Sequence, residues 1–149
     1  MSNQNKAWRL IIVQSLVFFI VFQLSVLILL PTAIICNVGI GFGIRLSAHA
    51  LIAASITALF FSGILIQKLL RNKLNQLFLE IGGGLLFGGA LSNIANRLMW
   101  GCVPDFFHLS WFPAFNMADI GISLGAFLLL FLMLKNKERE LGIRNGIVE

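Results

Sequence analysis

Four long apolar stretches, each closed by a polar break, set the pattern of this chain: approximately Leu10–Leu30, Ala48–Ile66, Leu77–Ala95 and Asn116–Leu134. Each is long enough for a helix to cross the roughly 30 Å of bilayer hydrocarbon, which takes about 20 mostly apolar residues. The pattern therefore predicts an all-α integral membrane protein of four transmembrane helices, read as a single four-span domain over residues 1–149. The first stretch follows Lys6 and Arg9 as a signal peptide would, but it is longer than an h-region of roughly 7–15 residues. No small-residue cleavage site follows it, so it reads as a retained span. No low-complexity segment or internal repeat stands out.

Composition agrees: 58% of residues are hydrophobic and 11% charged, with a mean hydropathy of +0.93. Those values exclude an ordinary soluble domain. The basic residues then orient the spans, because short loops rich in Lys and Arg stay in the cytoplasm. Lys6 and Arg9 precede span one, Lys68, Arg71 and Lys73 join spans two and three, and Lys135, Lys137, Arg139 and Arg144 follow span four. Only Arg45 and Arg97 belong to the other side. Both termini are thus expected in the cytoplasm, with short outer-face segments between spans one and two and between spans three and four. The net charge of +5 follows from this asymmetry and calls for no nucleic acid.

On that assignment the only two aspartates of the chain, Asp105 and Asp119, both face outward. Ionisable groups at membrane depth or its edge are costly, so a close acidic pair there is a candidate functional site. Pro113 stops any helix, and Phe115-Asn116-Met117-Ala118-Asp119 reads as the opening of the next, with Asn116 as N-cap and Asp119 at the third helical position. An acid at a helix N-terminus is biased toward its ionised form, whereas one flanked by Phe106 and Phe107 is biased toward protonation. Such a pair, sharing one proton, suits aspartic-protease chemistry: one carboxylate takes a proton from water while the other acid polarises a carbonyl. Spacing alone leaves open two unrelated aspartates, one capping a helix and one in a wet loop.

Other polar residues are weighed the same way. Gly89, Asn93 and Arg97 recur at intervals of four and stack on one face, with Asn96 beside Arg97; this polar end points at the headgroups or at the outer carboxylates. Gly82, Gly83, Gly84, Gly88, Gly89 and Ala90 leave one side of span three smooth, favouring close helix packing. Glu80 is placed in the first turn of that span, beside Lys73, where the helix dipole accounts for an acid. Cys36 and Cys102 stand apart, both near the outer face; a disulfide is geometrically possible, but two free cysteines in a packed interior are the favoured reading. His49 and His108 are single and have no metal-ligand spacing around them. Aromatic belts account for Trp100 and Trp111.

The run Val103-Pro104-Asp105-Phe106, followed by Trp111-Phe112-Pro113-Ala114-Phe115-Asn116-Met117-Ala118-Asp119, resembles the signature region of the lipoprotein signal peptidases (signal peptidase II), four-span aspartic peptidases of the bacterial cytoplasmic membrane. Asn93-Ile94-Ala95-Asn96-Arg97 is similar to that family's Asn-x-x-Asp-Arg, and Asn37-Val38-Gly39-Ile40-Gly41-Phe42 to its Asn-x-Gly-x-x-Phe. The likeness covers most of Asn37 to Ala126. It implies that Asp105 and Asp119 are the catalytic pair, and that Asn37, Asn93, Arg97 and Asn116 hold carboxylates or substrate backbone around them. It further implies a monomer in membrane lipid, with no metal or organic cofactor, that cuts a diacylglyceryl-modified prolipoprotein just before its lipidated cysteine. The smooth glycine face of span three is where a helical signal peptide is then expected to enter from the bilayer. The chain departs from the family pattern at Asn96, which replaces an Asp, and in the region from Phe22, Gln23 and Val26 to Asn37, which lacks an Asp-Gln-x-x-Lys element and is shorter.

Two further readings compete with this one. A peptidase-like protein that binds precursors without cutting them would be marked by Asn96 and the altered first span; the intact Asp105 and Asp119 argue against it. A small proton-coupled transporter using Glu80 or the aspartates as a relay would place its acid near the bilayer midplane, whereas these acids lie near the surfaces.

Overall fold

The computed structural model describes residues 3–29, 31, 35–39, 46–71 and 75–144, without the side chains of residues 3, 140, 143 and 144. Ile40, Gly41, Phe42, Arg45 and Lys73, which entered the expectations above, lie outside the described residues. Four helices carry the fold: α1 (Asn3–Leu29), α2 (Ala48–Leu70), α3 (Gln76–Trp100) and α4 (Met117–Arg144). All four are long and apolar enough to cross a membrane, as the hydrophobic pattern predicts. They are longer than the apolar windows because polar residues such as Lys6, Lys68 and Lys135 continue the backbone hydrogen bonding past the hydrocarbon, where water and headgroups accept their charges.

Local chemistry sets the helix ends. Ser47 caps α2, its hydroxyl accepting from the Ala50 amide at 3.2 Å. Gly101 closes α3 in the left-handed region (φ 73°) while its N–H donates to Arg97 O, a backbone conformation that L side chains rarely adopt.

The glycines of α3 decide the packing. A Cβ at Gly83 would meet Ile11, one at Gly84 would meet Gln14, and one at Gly88 would lie 2.8 Å from Ser15 O, so α1 lies along this face, running parallel to α3. On another face a Cβ at Gly82 would meet Leu128, and one at Gly89 would lie 2.6 Å from Ala118 O, so α4 packs there in the opposite direction. Gly125 answers from α4, where a Cβ would lie 2.6 Å from Gly82 O. The glycines of this face are thus taken up by two helices of the chain itself, as the close helix packing expected of them requires. Without a hydrophobic drive between helices in lipid, this close approach supplies the van der Waals contact that holds the bundle. At the end remote from the aspartates, Ile11, Ile66, Leu69, Leu79, Leu129 and Leu132 form the buried core cluster. Outward-facing Ile28, Phe60 and Phe127 are 73%, 65% and 65% exposed, the disposition of side chains that meet lipid rather than protein.

Beyond the helices the chain builds two small antiparallel sheets. Strand β1 (Ile35–Asn37) pairs with β2 (Val103–Asp105), setting Ile35 opposite Asp105 and Asn37 opposite Val103. Strand β3 (Phe107–Leu109) pairs with β4 (Phe112–Phe115), with an irregularity between Phe107 and Leu109. Phe107 stacks on Phe115 at 5.3 Å between ring centroids, and Phe112 meets Phe115 edge-on. Hydrophobic-run analysis passes over these strands because each has only three or four residues and exists by pairing.

Two expectations are corrected. Cys36 and Cys102 are not free: they form a disulfide across the β1–β2 pair, with Cα atoms 5.6 Å apart, because antiparallel pairing brings together residues 66 apart in sequence. Glu80 is not in the first turn of its helix, since α3 begins at Gln76. It is buried, and its carboxylate accepts from Gln76 Nε2 at 2.7 Å, so a side-chain amide one turn away solvates it.

Candidate functional site

The start of α4 is organised by its own first residues. Asn116 Oδ1 accepts from the Asp119 amide and Asp119 Oδ2 accepts from the Asn116 amide, each at 3.1 Å. This reciprocal capping box satisfies two amides left unpaired at the helix end. It also fixes the Asp119 side chain against backbone, so that Oδ1 turns toward α3 and accepts from Asn93 Nδ2 at 2.7 Å.

Asp105, at the end of β2, is 1% exposed. Asn37 Nδ2 donates to its Oδ2 at 2.8 Å and Asn116 Nδ2 to its Oδ1 at 2.9 Å. Asn116 also reaches Asn93 Oδ1 at 3.3 Å, so one buried amide side chain ties both carboxyls and α3 into a single network. Asn37 is held in turn by the Gly39 amide donating to its Oδ1 at 2.9 Å. Burial pushes Asp105 up from the ordinary carboxylate range to about 6; the hydrogen bonds from Asn37 and Asn116 oppose that rise, Asp119 adds to it, and Arg97 opposes it. A carboxyl held above the ordinary range close to a second carboxyl is an arrangement that general acid–base hydrolysis can use.

Arg97 approaches this cluster without an ion pair to either aspartate among the described residues. Its guanidinium makes long 3.5 Å contacts to Asn93 O and Gly39 O, and its buried Nε has no partner among the described residues. Neighbouring Asn96 is fully buried, and neither of its amide atoms has a partner among the described residues. Asn96 therefore does not serve Arg97 in place of a carboxylate.

All six residues singled out in the sequence, Asn37, Asn93, Arg97, Asp105, Asn116 and Asp119, converge at this end of the bundle. Five of them share the hydrogen-bond network, and Arg97 joins through Asn93 O. A groove of about 430 Å³ opens over them, with Asp105, Asp119, Asn37 and Arg97 at its polar side and Val103, Phe112 and Leu124 among its apolar walls. On the other side of Asp119 a second groove of about 320 Å³ runs between α2, α3 and α4, reaching Ser55, Ser62 and Ala90. Sequence reading missed Ser55 and Ser62, although their spacing of seven sets them on one face of α2. Gly39, quoted in the sequence only as part of the Asn-x-Gly-x-x-Phe resemblance, acts through its backbone, its amide holding Asn37 and its carbonyl meeting Arg97. Among the described residues no cluster of His, Cys, Asp and Glu could hold a metal ion.

Known proteins share both sequence and fold with this chain. A lipoprotein signal peptidase of Pelotomaculum thermopropionicum is 35% identical over 106 residues, spanning 71% of this chain and 68% of that protein. One from Actinobacillus succinogenes is 39% identical over 87 residues, covering 56% of this chain and about half, 53%, of that protein. Two solved bacterial membrane enzymes superpose with TM-scores of 0.66 and 0.67 at 23% and 25% identity; they cover 87% and 84% of this chain and 90% and 92% of their own lengths. The resemblance in fold and the four apolar helices make this a multi-pass bacterial membrane protein. The signal peptidase II family model matches residues 8–135, which take in α2, α3, most of α1 and α4, both sheets and the asparagine–aspartate network, and the chain belongs to that family.

Proposed function

We propose that this chain is a membrane aspartic endopeptidase that removes signal peptides from diacylglyceryl-modified prolipoproteins, cutting just before the lipidated cysteine. One observation carries the reading: the only two aspartates of the chain are joined through Asn116 beneath a single groove with apolar walls. In the proposed reaction Asp119 accepts a proton from water while protonated Asp105 donates a hydrogen bond to the scissile carbonyl oxygen. The water oxygen bonds to the carbonyl carbon, and the resulting tetrahedral species expels the amine with a returned proton, without a covalent enzyme intermediate. Asn37, Asn93 and Asn116 hold the carboxyls, Arg97 supports Asn93 and the Gly39 turn, and no metal or organic cofactor takes part.

The remaining expectations belong to the same proposal: residues 1–149 act as one monomeric domain in the bacterial cytoplasmic membrane, both termini cytoplasmic and the aspartates at the outer face. The disulfide supports that orientation, since such bonds persist in oxidising compartments, and Cys36 and Cys102 lie at the aspartate end.

The test is cleavage of a diacylglyceryl-modified prolipoprotein by the detergent-purified chain, with mass spectrometry locating the cut. The expected product is the released signal peptide, and an unmodified precursor is expected to be cut far more slowly. A folded protein that binds the precursor but releases nothing would overturn the enzyme reading in favour of a binding protein.

The same assay reads the ionisation of Asp105. Its folded-state value near 6 lies above the ordinary carboxylate value, so the protonated form is the one folding favours, and that advantage is lost as pH rises through about 6. Accordingly kcat/KM is expected to fall on the alkaline side of about pH 6. Asn37→Ala removes a hydrogen bond that lowers this value, so it should move the falling limb to higher pH; an unmoved limb would count against Asp105 as the titrating acid.

Reduction of Cys36–Cys102 provides a separate check. The bond clamps β1, and with it Asn37, onto the strand bearing Asp105. Treatment with a membrane-permeant reductant, or Cys36→Ser, is expected to lower kcat/KM by on the order of tenfold, the worth of one hydrogen bond to a charged group. Helical circular dichroism should be retained, because the bond joins strands outside the helix bundle.

A further inference from the structure

At the end of the bundle remote from the aspartates, a groove of about 720 Å³ lies between α1, α2 and α3. Its apolar end adjoins the groove beside Asp119, which Leu59 also lines, whereas its cationic end is set apart, Lys68 lying six residues beyond Ser62, about 9 Å along the helix at 1.5 Å per residue. Phe60, Ile64 and Lys68 of α2 and its C-cap residue Arg71 line it, at spacings of four, four and three that keep them on one face. Read along that face, the lining is apolar for its first two members and cationic for its last two. Phe60 and Ile64 are 65% and 53% exposed, so no helix of the chain covers them.

The other walls shape this stripe into a trough. Gly63 leaves the floor open, where an added Cβ would come only to ordinary contact distance, 3.9 Å, from the Phe87 ring. Trp8 closes the α1 side, its indole N–H donating to Gln67 Oε1 at 2.6 Å, which ties α1 to α2 and leaves the ring as an apolar wall. No carboxylate lines the groove, and neither Lys68 nor Arg71 enters an ion pair among the described residues. A cavity whose walls are mostly apolar and whose lining ends in two cations without an ion pair among the described residues complements a molecule with a hydrocarbon chain and an anionic head.

We infer that this groove binds one anionic phospholipid, its phosphate between Lys68 and Arg71 and an acyl chain along Phe60, Ile64 and the Gly63 floor. Two basic side chains near a headgroup add substantially to the affinity for an anionic lipid over a zwitterionic one, and the preformed trough restricts that gain to one site. The inference does not depend on the peptidase reading, since no residue of the aspartate network takes part.

Tryptophan quenching tests it in the full chain. In Trp100→Phe/Trp111→Phe, both positions being exposed at the other end, Trp8 is the sole fluorophore. The protein in detergent micelles is titrated with phosphatidylglycerol brominated on its acyl chains, or with phosphatidylcholine brominated identically. Half-quenching is expected at a mole fraction about tenfold lower for the anionic lipid. Lys68→Gln/Arg71→Gln should erase that preference, and Gly63→Leu should weaken quenching by filling the trough with both charges intact. Lys135→Gln/Lys137→Gln removes equal charge from the same end outside the groove and should leave the preference unchanged. Equal quenching by the two lipids, a preference that survives Gly63→Leu, or one lost equally in the Lys135/Lys137 variant would overturn the inference.

Discussion

Asp105→Asn and Asp119→Asn are each expected to lower kcat/KM for a diacylglyceryl-modified prolipoprotein by on the order of 10³, within the roughly 10²–10⁴ that positioned acid–base groups contribute. Both substitutions keep size and remove the ionisable proton. Their structural costs differ. Asp119 accepts through both oxygens, from Asn93 and from the Asn116 amide, so an Asn there must present an N–H to one donor and weakens the α4 cap by about 1 kcal/mol. Asp105 accepts from two side-chain amides whose oxygens are already held by the Gly39 and Asp119 amides, so Asp105→Asn leaves one N–H facing another but does not itself remove an α4 cap acceptor. Thermal unfolding therefore separates the roles: Asp119→Asn should lower the midpoint more, while both lose activity alike. Cleavage within tenfold of the parent by a folded Asp105→Asn protein would remove that residue from the chemistry. Asn116→Ala gives a third reading, since it cuts the link between the carboxyls while leaving both in place. It should fall between the parent and the aspartate variants.

The second large effect lies in packing. Gly89→Ala places a methyl group 2.6 Å from Ala118 O and 2.9 Å from the Ile122 side chain, closer than such atoms approach. The first of these neighbours is backbone and belongs to the residue before Asp119, so α4 must move away from α3 where the capping box and the Asn93 hydrogen bond sit. Overpacking of this kind costs about 1–3 kcal/mol, and a displacement near 1 Å at a reacting group can cost about 100-fold in rate. Gly89→Ala is thus expected to lower kcat about 100-fold with a modest loss of thermal stability. Gly63→Ala, where only ordinary contact awaits, should be silent in both. Equal behaviour of the two variants in the cleavage assay would show that the α3–α4 seam does not position Asp119.

How much of this was legible beforehand depends on the range over which each feature is encoded. Span number follows from apolar runs, because hydrocarbon thickness imposes a length on any helix that crosses it. The N-cap role of Asn116 and the third position of Asp119 were equally readable, since a capping box needs only residues three apart. Asn93 and Arg97 could be placed on one helix face by period, but nothing local says which of them touches a carboxylate. Asn93 does so directly, whereas Arg97 reaches only main-chain carbonyls. Glu80 was misread because a helix beginning at Gln76 sets it one turn deeper, beside an amide donor.

The sequence by itself determined the four membrane helices, the cap of α4 and the residue types of the aspartate cluster, all of which depend on neighbours within a few turns. Tertiary structure alone decided the rest. The disulfide and the contact between Asn37 and Asp105 require β1 and β2, 66 to 68 residues apart in sequence, to pair as antiparallel strands. The glycines of α3 were taken up by α1 and α4, a choice among helices of similar composition that only three-dimensional complementarity makes. Short strands and seams of small residues carry little periodic signal, and their stability comes from partners distant in the chain.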